Sequence, residues 1–229
     1  MNTTSFQQKI EALLLESKAF FSLEWKRKYA AFLQEEILHF FSIELVKRFY
    51  EIPNNSRQPY FVDEIVHNYP EIVSQFKTVF INENNIDVKE ICYLIENTPF
   101  STILWLMGQR ITSASKQDFE AIPPLKAVLL ESCFQPLNRE TTVVVKAWEK
   151  HVGRYPESIF EKLKGNQKAK ESKIKIQIEI FFEKTTWWNI FYHYKHGLVY
   201  EIRLANGQGM RWSSNGKQFI GFLEQFLNE

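Results

Sequence analysis

The chain has little of several features that define particular protein classes. Its 229 residues include only 2 Cys, 8 Gly and 8 Pro, which excludes a disulfide-built, a collagen-like and a low-complexity protein. Charged residues interrupt every apolar run, and none approaches the roughly 18 apolar residues that a membrane span needs. The formal net charge is only +1, so the chain as a whole is not a strongly basic nucleic-acid-coating protein.

Targeting and metal-binding signals are also missing. Residues 1–18 show no basic segment followed by an unbroken apolar run, so we expect no signal peptide and a cytoplasmic location. Cys92 and Cys133 lie among apolar neighbours in predicted helices, which favours two buried free thiols over a disulfide or a nucleophile. Since there is no CxxC motif and no histidine pair at ligand spacing, the sequence predicts no metal and no cofactor.

What is present is distributed unevenly along the chain. Seven of the eight Pro precede residue 140, and seven of the eight Gly follow residue 150. Residues 1–140 carry 14 basic and 18 acidic side chains, net −4, whereas residues 141–229 carry 14 basic and 9 acidic side chains, net +5. These shifts predict a helical domain over 1–140 and an α+β domain over 141–229.

The first part shows apolar residues at steps of three to four, which is typical of helices. It has no fixed repeat, which argues against a solenoid. We therefore expect an irregular helical bundle that serves as a scaffold or a protein-contact surface. The predicted helices span 6–21, 25–50, 60–67, 71–80, 88–96, a segment from residue 99, and 125–134.

The second part mixes helix and strand patterns. Helices are predicted at 141–151 and 155–164, whereas residues 173–182 fit either a strand or a helix that begins at Asn166. Alternating residues then predict strands at 187–194 and 198–204 and a third strand after the turn at 206–208. Apolar residues from Phe219 onward fit an amphipathic C-terminal helix. The predicted fold class is α+β: a three-stranded antiparallel meander covered by that helix.

The hairpin turns set an expected register. Gly197 suits the end of a three-residue loop, which places Asn189 opposite Arg203. The next turn places Arg211 opposite Arg203 as well. In this register the apolar partners share one face, and we expect the C-terminal helix to bury Trp188, Tyr200 and Trp212.

The other face of the meander collects polar side chains. Glu201 can pair with one arginine, which would leave the second free to hold a phosphate or carboxylate. The alternative is an ordinary solvent-exposed face of a two-layer fold. The polar residues on this face are Asn189, His193, Glu201, Arg203 and Arg211.

A second candidate surface is the basic stretch, residues 146–175, with nine basic and four acidic side chains. It includes Lys150, His151, Arg154 and Lys168. One interpretation is an anion or RNA surface, and the other is a set of solvated helix ends where cations suit the helix dipole. The aromatic residues available for base stacking in the first interpretation are Trp148 and Tyr155.

Several segments together resemble a known sequence pattern. They are KAWEKHVGR at 146–154, GN at 165–166, WWNIF at 187–191, EIR at 201–203, GQGMRW at 207–212 and FIGFLE at 219–224. They are similar to a family with the pattern KHxxR…WxNIH…EIR…GxGxRW…FxGFLE, to which no activity is attached. The resemblance covers about the last 85 residues. The residues that it singles out are Lys150, His151, Arg154, Asn189, Glu201, Arg203, Arg211 and Glu224. This chain has Phe191 where that family has histidine and Gln208 where it has tyrosine.

Two functional hypotheses follow. The first is a cytosolic binding or interaction protein, with protein contacts through the helical part and an anion-binding polar face. The second is an enzyme acting on a phosphate-containing substrate, with RNA as one candidate. In that enzyme His151 or His193 is the general acid or base, Arg203 and Arg211 stabilise developing negative charge, and Glu201 orients an arginine or the histidine. Neither hypothesis involves a membrane.

Overall fold

The computed structural model describes residues 3–50, 58–81, 87–154 and 159–226, which form helices and antiparallel strands. The predicted α+β class is confirmed. The helices are α1 (Thr3–Ser17), α2 (Leu23–Lys28), α3 (Glu35–Tyr50), α4 (Pro70–Ile81), α5 (Val88–Asn97), α6 (Phe100–Leu106), α7 (Lys126–Cys133), α8 (Val143–Glu149) and α9 (Gln167–Lys184). The strands are β1 (Glu64–Ile65), β2 (Ile111–Thr112), β3 (Trp187–His193), β4 (Gly197–Arg203), β5 (Gly209–Ser213) and β6 (Phe219–Leu223).

The chain divides into two compact units, and the division is not a single cut. Residues 56–64 and 112–116 belong to the second unit together with everything from Pro123 onward. Separate domains at 1–140 and 141–229 stay a prediction. The ranges of the first unit are Met1–Asn55, Ile65–Ile111 and Gln117–Ile122, and those of the second are Ser56–Glu64, Thr112–Lys116 and Pro123–Glu229.

The first unit is built from helices, as its periodicity indicates. The predicted helix over 25–50 is wrong in one respect, because a turn separates α2 from α3. The aromatic residue that suggested continuity, Phe32, is fully buried in that turn against Phe41 and Phe100, with ring centroids 5.4 and 6.0 Å away. The predicted helix at 60–67 is also wrong, since that segment is irregular apart from β1. Both cysteines are buried free thiols, which confirms that prediction.

The segment with two open interpretations, 173–182, is helical and belongs to α9. Asn166 starts this helix, because its side-chain oxygen accepts a hydrogen bond of 3.0 Å from the backbone N–H of Ala169. Ile174 and Ile178 are fully buried. The predicted helix at 155–164 is wrong for residues 159–164, which are not helical, and residues 155–158 lie outside the described residues.

The sheet of the second unit has four antiparallel strands in the order β3-β4-β5-β6, not three. The predicted C-terminal helix is wrong, because Phe219–Leu223 is β6. A bulge between Arg211 and Trp212 shifts the register, so Phe219 pairs with Trp212 and Phe222 pairs with Met210. The bulge thus places two phenylalanines three residues apart on one side, which imitates helical spacing.

The register of the sheet differs from the prediction by two residues. Asn189 and Arg211 both lie opposite Glu201, and Arg203 lies opposite Trp187. In the first hairpin the cause is Gly197, which is the first residue of β4 and not the last residue of the loop. In the second hairpin Arg203 pairs with Gly209, so the loop spans 204–208 and not 206–208. Because side chains alternate with a period of two, a shift of two residues leaves each one on its predicted face.

Both faces of the sheet are covered within the second unit. One face packs on α7, α8 and α9, where the indole N–H of Trp212 donates to the Leu129 carbonyl at 3.2 Å. The opposite face meets segment 58–64, where Phe61 stacks on Trp187 at 4.7 Å between centroids. Residues 114–116 lie along the free edge of β3, where the Lys116 N–H donates to the Ile190 carbonyl at 2.8 Å. Trp188, Tyr200 and Trp212 are therefore buried, but under these helices and not under a C-terminal one. Among the described residues, no helix has the length and apolar character to cross a membrane.

Candidate active site

The central feature of the second unit is the polar cluster, which we define as His193, Glu201, Arg203 and Arg211. Glu201 is 1% exposed and accepts from both arginines. Arg203 Nε lies 2.5 Å from Oε1, and Arg211 Nε and Nη2 each lie 2.6 Å from Oε2. Strand pairing explains this arrangement, since Arg211 lies directly opposite Glu201 and Arg203 follows it by two residues on the same face.

Two of the expectations about this cluster are wrong. The face is not solvated at its centre, because Glu201 and Arg203 are buried and Phe61 packs over Arg203 and Trp187. Glu201 also does not leave one arginine unpaired, because each carboxylate oxygen accepts from a different guanidinium. With both arginines charged and Glu201 ionised, these three side chains carry a net charge of +1, which favours an anion as the ligand.

Arg203 is held from several directions. Its Nη1 donates to the Gly207 carbonyl at 2.6 Å, and its guanidinium lies over the rings of Phe61 and Phe226 at 5.7 and 4.9 Å. A Cβ at Gly209 would lie 2.1 Å from the Ile202 carbonyl oxygen and 2.9 Å from Arg203 Cγ, so only glycine fits there. These contacts fix Arg203 and, through it, the orientation of Glu201.

Arg211 links the carboxylate to a histidine. Its Nη1 lies 3.0 Å from His193 Nε2, and since a guanidinium can only donate, Nε2 accepts. The backbone N–H of Lys195 lies 3.2 Å from the other ring nitrogen, Nδ1. A neutral imidazole has one acceptor nitrogen, so the ring accepts from Lys195 in one tautomer and from Arg211 in the other, in which Nδ1 carries the proton. Burial lowers the pKa of His193, as do the charges of Arg211, His196 and Lys195, while Glu201 opposes them. His193 is therefore a half-exposed imidazole that favours the neutral form, which a general base requires.

Asn189 supports the cluster and does not line an open surface. It is fully buried, lies opposite Glu201, and donates from Nδ2 to the Ser115 hydroxyl at 2.7 Å. The Ser115 hydroxyl also accepts from the backbone N–H of Thr112 at 2.7 Å. Asn189 thus ties segment 112–116 to the polar face of the sheet.

His151 belongs to a different place in the second unit. It lies just after α8, is 9% exposed, and its Nδ1 contacts Glu224 Oε1. Its ring packs against Phe160 and Phe222, with centroids 4.7 and 6.3 Å away. Phe222 lies on the face of the sheet that packs on the helices, whereas Glu201 lies on the opposite face. The structure therefore joins His193 to the polar cluster and places His151 on the other face.

The basic stretch contributes exposed charge around α8 and α9. Lys150, Arg154 and Lys168 are exposed, and Lys168 lines an open groove of about 500 Å³ between α7 and α9 that also contains Glu131 and Glu171. Trp148 is not available to stack on a base, because it is 3% exposed and its indole N–H donates to the Glu161 carbonyl at 2.9 Å. Tyr155 lies outside the described residues.

Sequence reasoning missed several supports of the cluster. Phe61 and Ser115 come from segments far away in sequence, and no local pattern connects them to the strands. The GQG motif at 207–209 does point to this site in the sequence. The Gly207 carbonyl accepts from Arg203, and the absence of a side chain at Gly209 leaves space for Arg203. Among the described ranges, no group of three or more His, Cys, Asp or Glu side chains is placed to hold a metal ion.

Comparisons with known proteins give one similarity. Neither the curated proteins nor the solved structures include a match to this chain. Residues 130–224, which contain all four members of the polar cluster as well as His151 and Glu224, are similar to the family described as the CdiA C-terminal tRNase toxin domain.

Proposed function

We propose that the second unit is a ribonuclease that cleaves tRNA and that the polar cluster is its active centre. The observation that carries the proposal is geometric: one buried carboxylate orients two arginines, and one of them contacts a neutral histidine. The similarity of residues 130–224 to a tRNase toxin domain supports RNA as the substrate class.

The proposed reaction uses the ribose next to the scissile phosphate. His193 removes the proton of the 2′-hydroxyl, the 2′-oxygen attacks phosphorus, and the bond between phosphorus and the 5′-oxygen breaks. The leaving 5′-oxygen takes a proton from solvent. The products are a 2′,3′-cyclic phosphate and a 5′-hydroxyl. A base whose pKa is close to or below neutral stays unprotonated and available at neutral pH.

Arg211 stabilises the charge that develops on the phosphate oxygens. Its Nη1 is the donor that contacts His193. When Nη1 turns to a phosphate oxygen, the Nε2 lone pair of His193 becomes available to the 2′-hydroxyl. Arg203 is more deeply buried and bonded to both Glu201 and Gly207, so we assign it a positioning role. Preorganised donors of this kind typically contribute about 10²–10³-fold to the rate.

The hypothesis of a binding protein without activity requires only the arginines. The contact between Arg211 and His193 favours the enzyme, because an imidazole nitrogen that accepts from an arginine has a lone pair, which a general base uses and a phosphate oxygen does not. The pair of His151 and Glu224 connects the end of α8 to the end of β6. We assign this pair to the stability of the unit and not to the reaction.

Cleavage of purified tRNA by the full chain tests the proposal. We expect His193→Ala and Arg211→Ala each to lower the rate by at least about 100-fold while retaining a cooperative thermal transition. His39→Ala is the matched control, because His39 is a half-exposed histidine in the first unit whose partner is Glu11. If the wild type leaves tRNA intact, or if both cluster variants cleave it at the wild-type rate, the proposal is wrong.

A further inference from the structure

The tip of the hairpin between β3 and β4 presents aromatic rings beside the polar cluster. Tyr194 is 95% exposed, and its ring centroid lies 4.7 Å from that of His193 at an interplanar angle of 31°. On the same histidine, the His196 ring stacks at 5.0 Å and 24°. His193 therefore belongs to a group of three neighbouring rings, which we call the tip rings: Tyr194, His193 and His196.

The exposure of Tyr194 is not explained by a contribution to folding. Burial of aromatic surface stabilises a fold, whereas a ring that is 95% exposed contributes almost nothing in that way. An exposed ring face beside phosphate-binding arginines is instead the arrangement by which proteins hold unpaired nucleic-acid bases.

The charge around the tip suits a nucleic acid. Lys195 lies within the tip and is exposed, and Arg211 contacts the middle ring. The one carboxylate of the cluster, Glu201, is already bonded to two arginines. The surroundings of the tip rings are therefore positive, which matches a phosphodiester backbone and repels a cationic partner.

We infer that Tyr194 is a stacking platform for an unpaired RNA base next to the phosphate that Arg211 holds. This inference rests on the proposed function and adds its substrate class: the cleaved phosphate lies in an unpaired segment and not in a duplex. A paired base is stacked inside its helix and cannot cover the Tyr194 ring without first leaving the helix.

Binding of an uncleavable strand tests the inference separately from catalysis. The probe is a fluorescent single-stranded oligonucleotide with 2′-deoxy sugars, which lacks the attacking hydroxyl but keeps bases and phosphates. We expect Tyr194→Ala to weaken its binding to the full chain by about tenfold, the scale of one lost stacking contact. Tyr194→Phe retains a stacking ring, so its affinity should stay within about twofold of the wild type.

Tyr192→Ala is the matched control. Tyr192 lies on β3, the strand that leads into the tip, and is 60% exposed, but alternation directs it away from the side of His193. The affinity of the Tyr192→Ala variant for the probe should equal that of the wild type. Annealing a complementary strand should weaken binding to the wild type and remove the difference between wild type and Tyr194→Ala.

Three results would overturn the inference: equal affinity of Tyr194→Ala and Tyr192→Ala, equal binding of paired and unpaired strands, or no binding of the unpaired strand. Any of these, together with tRNA cleavage that depends on His193, would remove the stacking platform and leave the proposed ribonuclease in place. Normal stacking behaviour without cleavage would remove the ribonuclease and retain the platform.

Discussion

At the scale of single residues, the polar cluster depends on the buried carboxylate of Glu201. Glu201 is 1% exposed and lies between two arginines. The sequence predicted that these side chains share a face, because alternation along a strand survives a register shift of two residues. It could not predict their burial, since Phe61, which packs over Arg203, comes from a distant part of the chain.

Replacement of this carboxylate should be costly. Glu201→Gln leaves the buried Arg203 and the partly buried Arg211 facing each other without a neutralising charge, so we expect the free energy of unfolding to fall by about 3–5 kcal/mol. Urea denaturation measures this change. The control is Glu183→Gln, because Glu183 is exposed near the end of α9 and its loss should change stability by less than about 0.5 kcal/mol. Equal stability of the two variants would contradict a buried ion cluster.

The protonation of His193 predicts how the rate of tRNA cleavage depends on pH. Burial, followed by the charges of Arg211, His196 and Lys195, lowers its pKa in the folded protein. The rate of tRNA cleavage should therefore decline on the acid side with a midpoint below about 6.5, the ordinary histidine value. The rate is lost as pH falls, because protonation removes the lone pair that the base uses.

The same shift has a consequence for stability. The unfolded chain takes up a proton on His193 at higher pH than the folded chain does. The contribution of His193 to the free energy of unfolding therefore declines as pH falls below about 6.5. An NMR titration of the His193 ring measures the pKa directly. Arg211→Gln removes one of the lowering charges and should raise that pKa, whereas an unchanged or lower value would contradict the contact.

At the scale of elements, local patterns predicted helices and strands well where one period was strong. Strands β3 and β4 were found from alternation. The sequence of β6 predicts a helix, because the bulge opposite Arg211 and Trp212 places Phe219 and Phe222, three residues apart, on one side of the sheet. A bulge adds one residue to a strand and interrupts the alternation of its side chains. The pattern of apolar residues therefore could not distinguish a bulged strand from a helix at 219–223.

Helix α9 shows how a cap decides between two patterns. Residues 173–182 alternate like a strand, but Asn166 caps a helix that begins before them. Asn166→Ala should lower the free energy of unfolding by about 1 kcal/mol, because one backbone N–H loses its partner. Thermal denaturation measures the change, and the exposed Lys173→Ala is the control. A loss no larger than in the control would show that the cap does not stabilise α9.

At the scale of the whole molecule, composition predicted two parts with different characters. A boundary between the proline-containing first part and the glycine-containing second part near residue 140 stays a prediction. Composition did not predict that segments 56–64 and 112–116 join the second unit. Residues 58–64 supply Phe61, which packs over Arg203, and residues 114–116 pair with the edge of β3. The surroundings of the polar cluster are therefore incomplete in residues 141–229 alone.

The end chemistry of cleaved tRNA tests the central claim most directly. The full chain is incubated with tRNA, the cleavage position is mapped, and the fragment ends are identified by mass spectrometry. The mechanism at His193 and Arg211 predicts a 2′,3′-cyclic phosphate on one fragment and a 5′-hydroxyl on the other, with no cleavage when the ribose at that position is replaced by 2′-deoxyribose. A 5′-phosphate with a 3′-hydroxyl, or cleavage that continues at the deoxyribose, would contradict the assignment of His193 as the base that activates the 2′-hydroxyl.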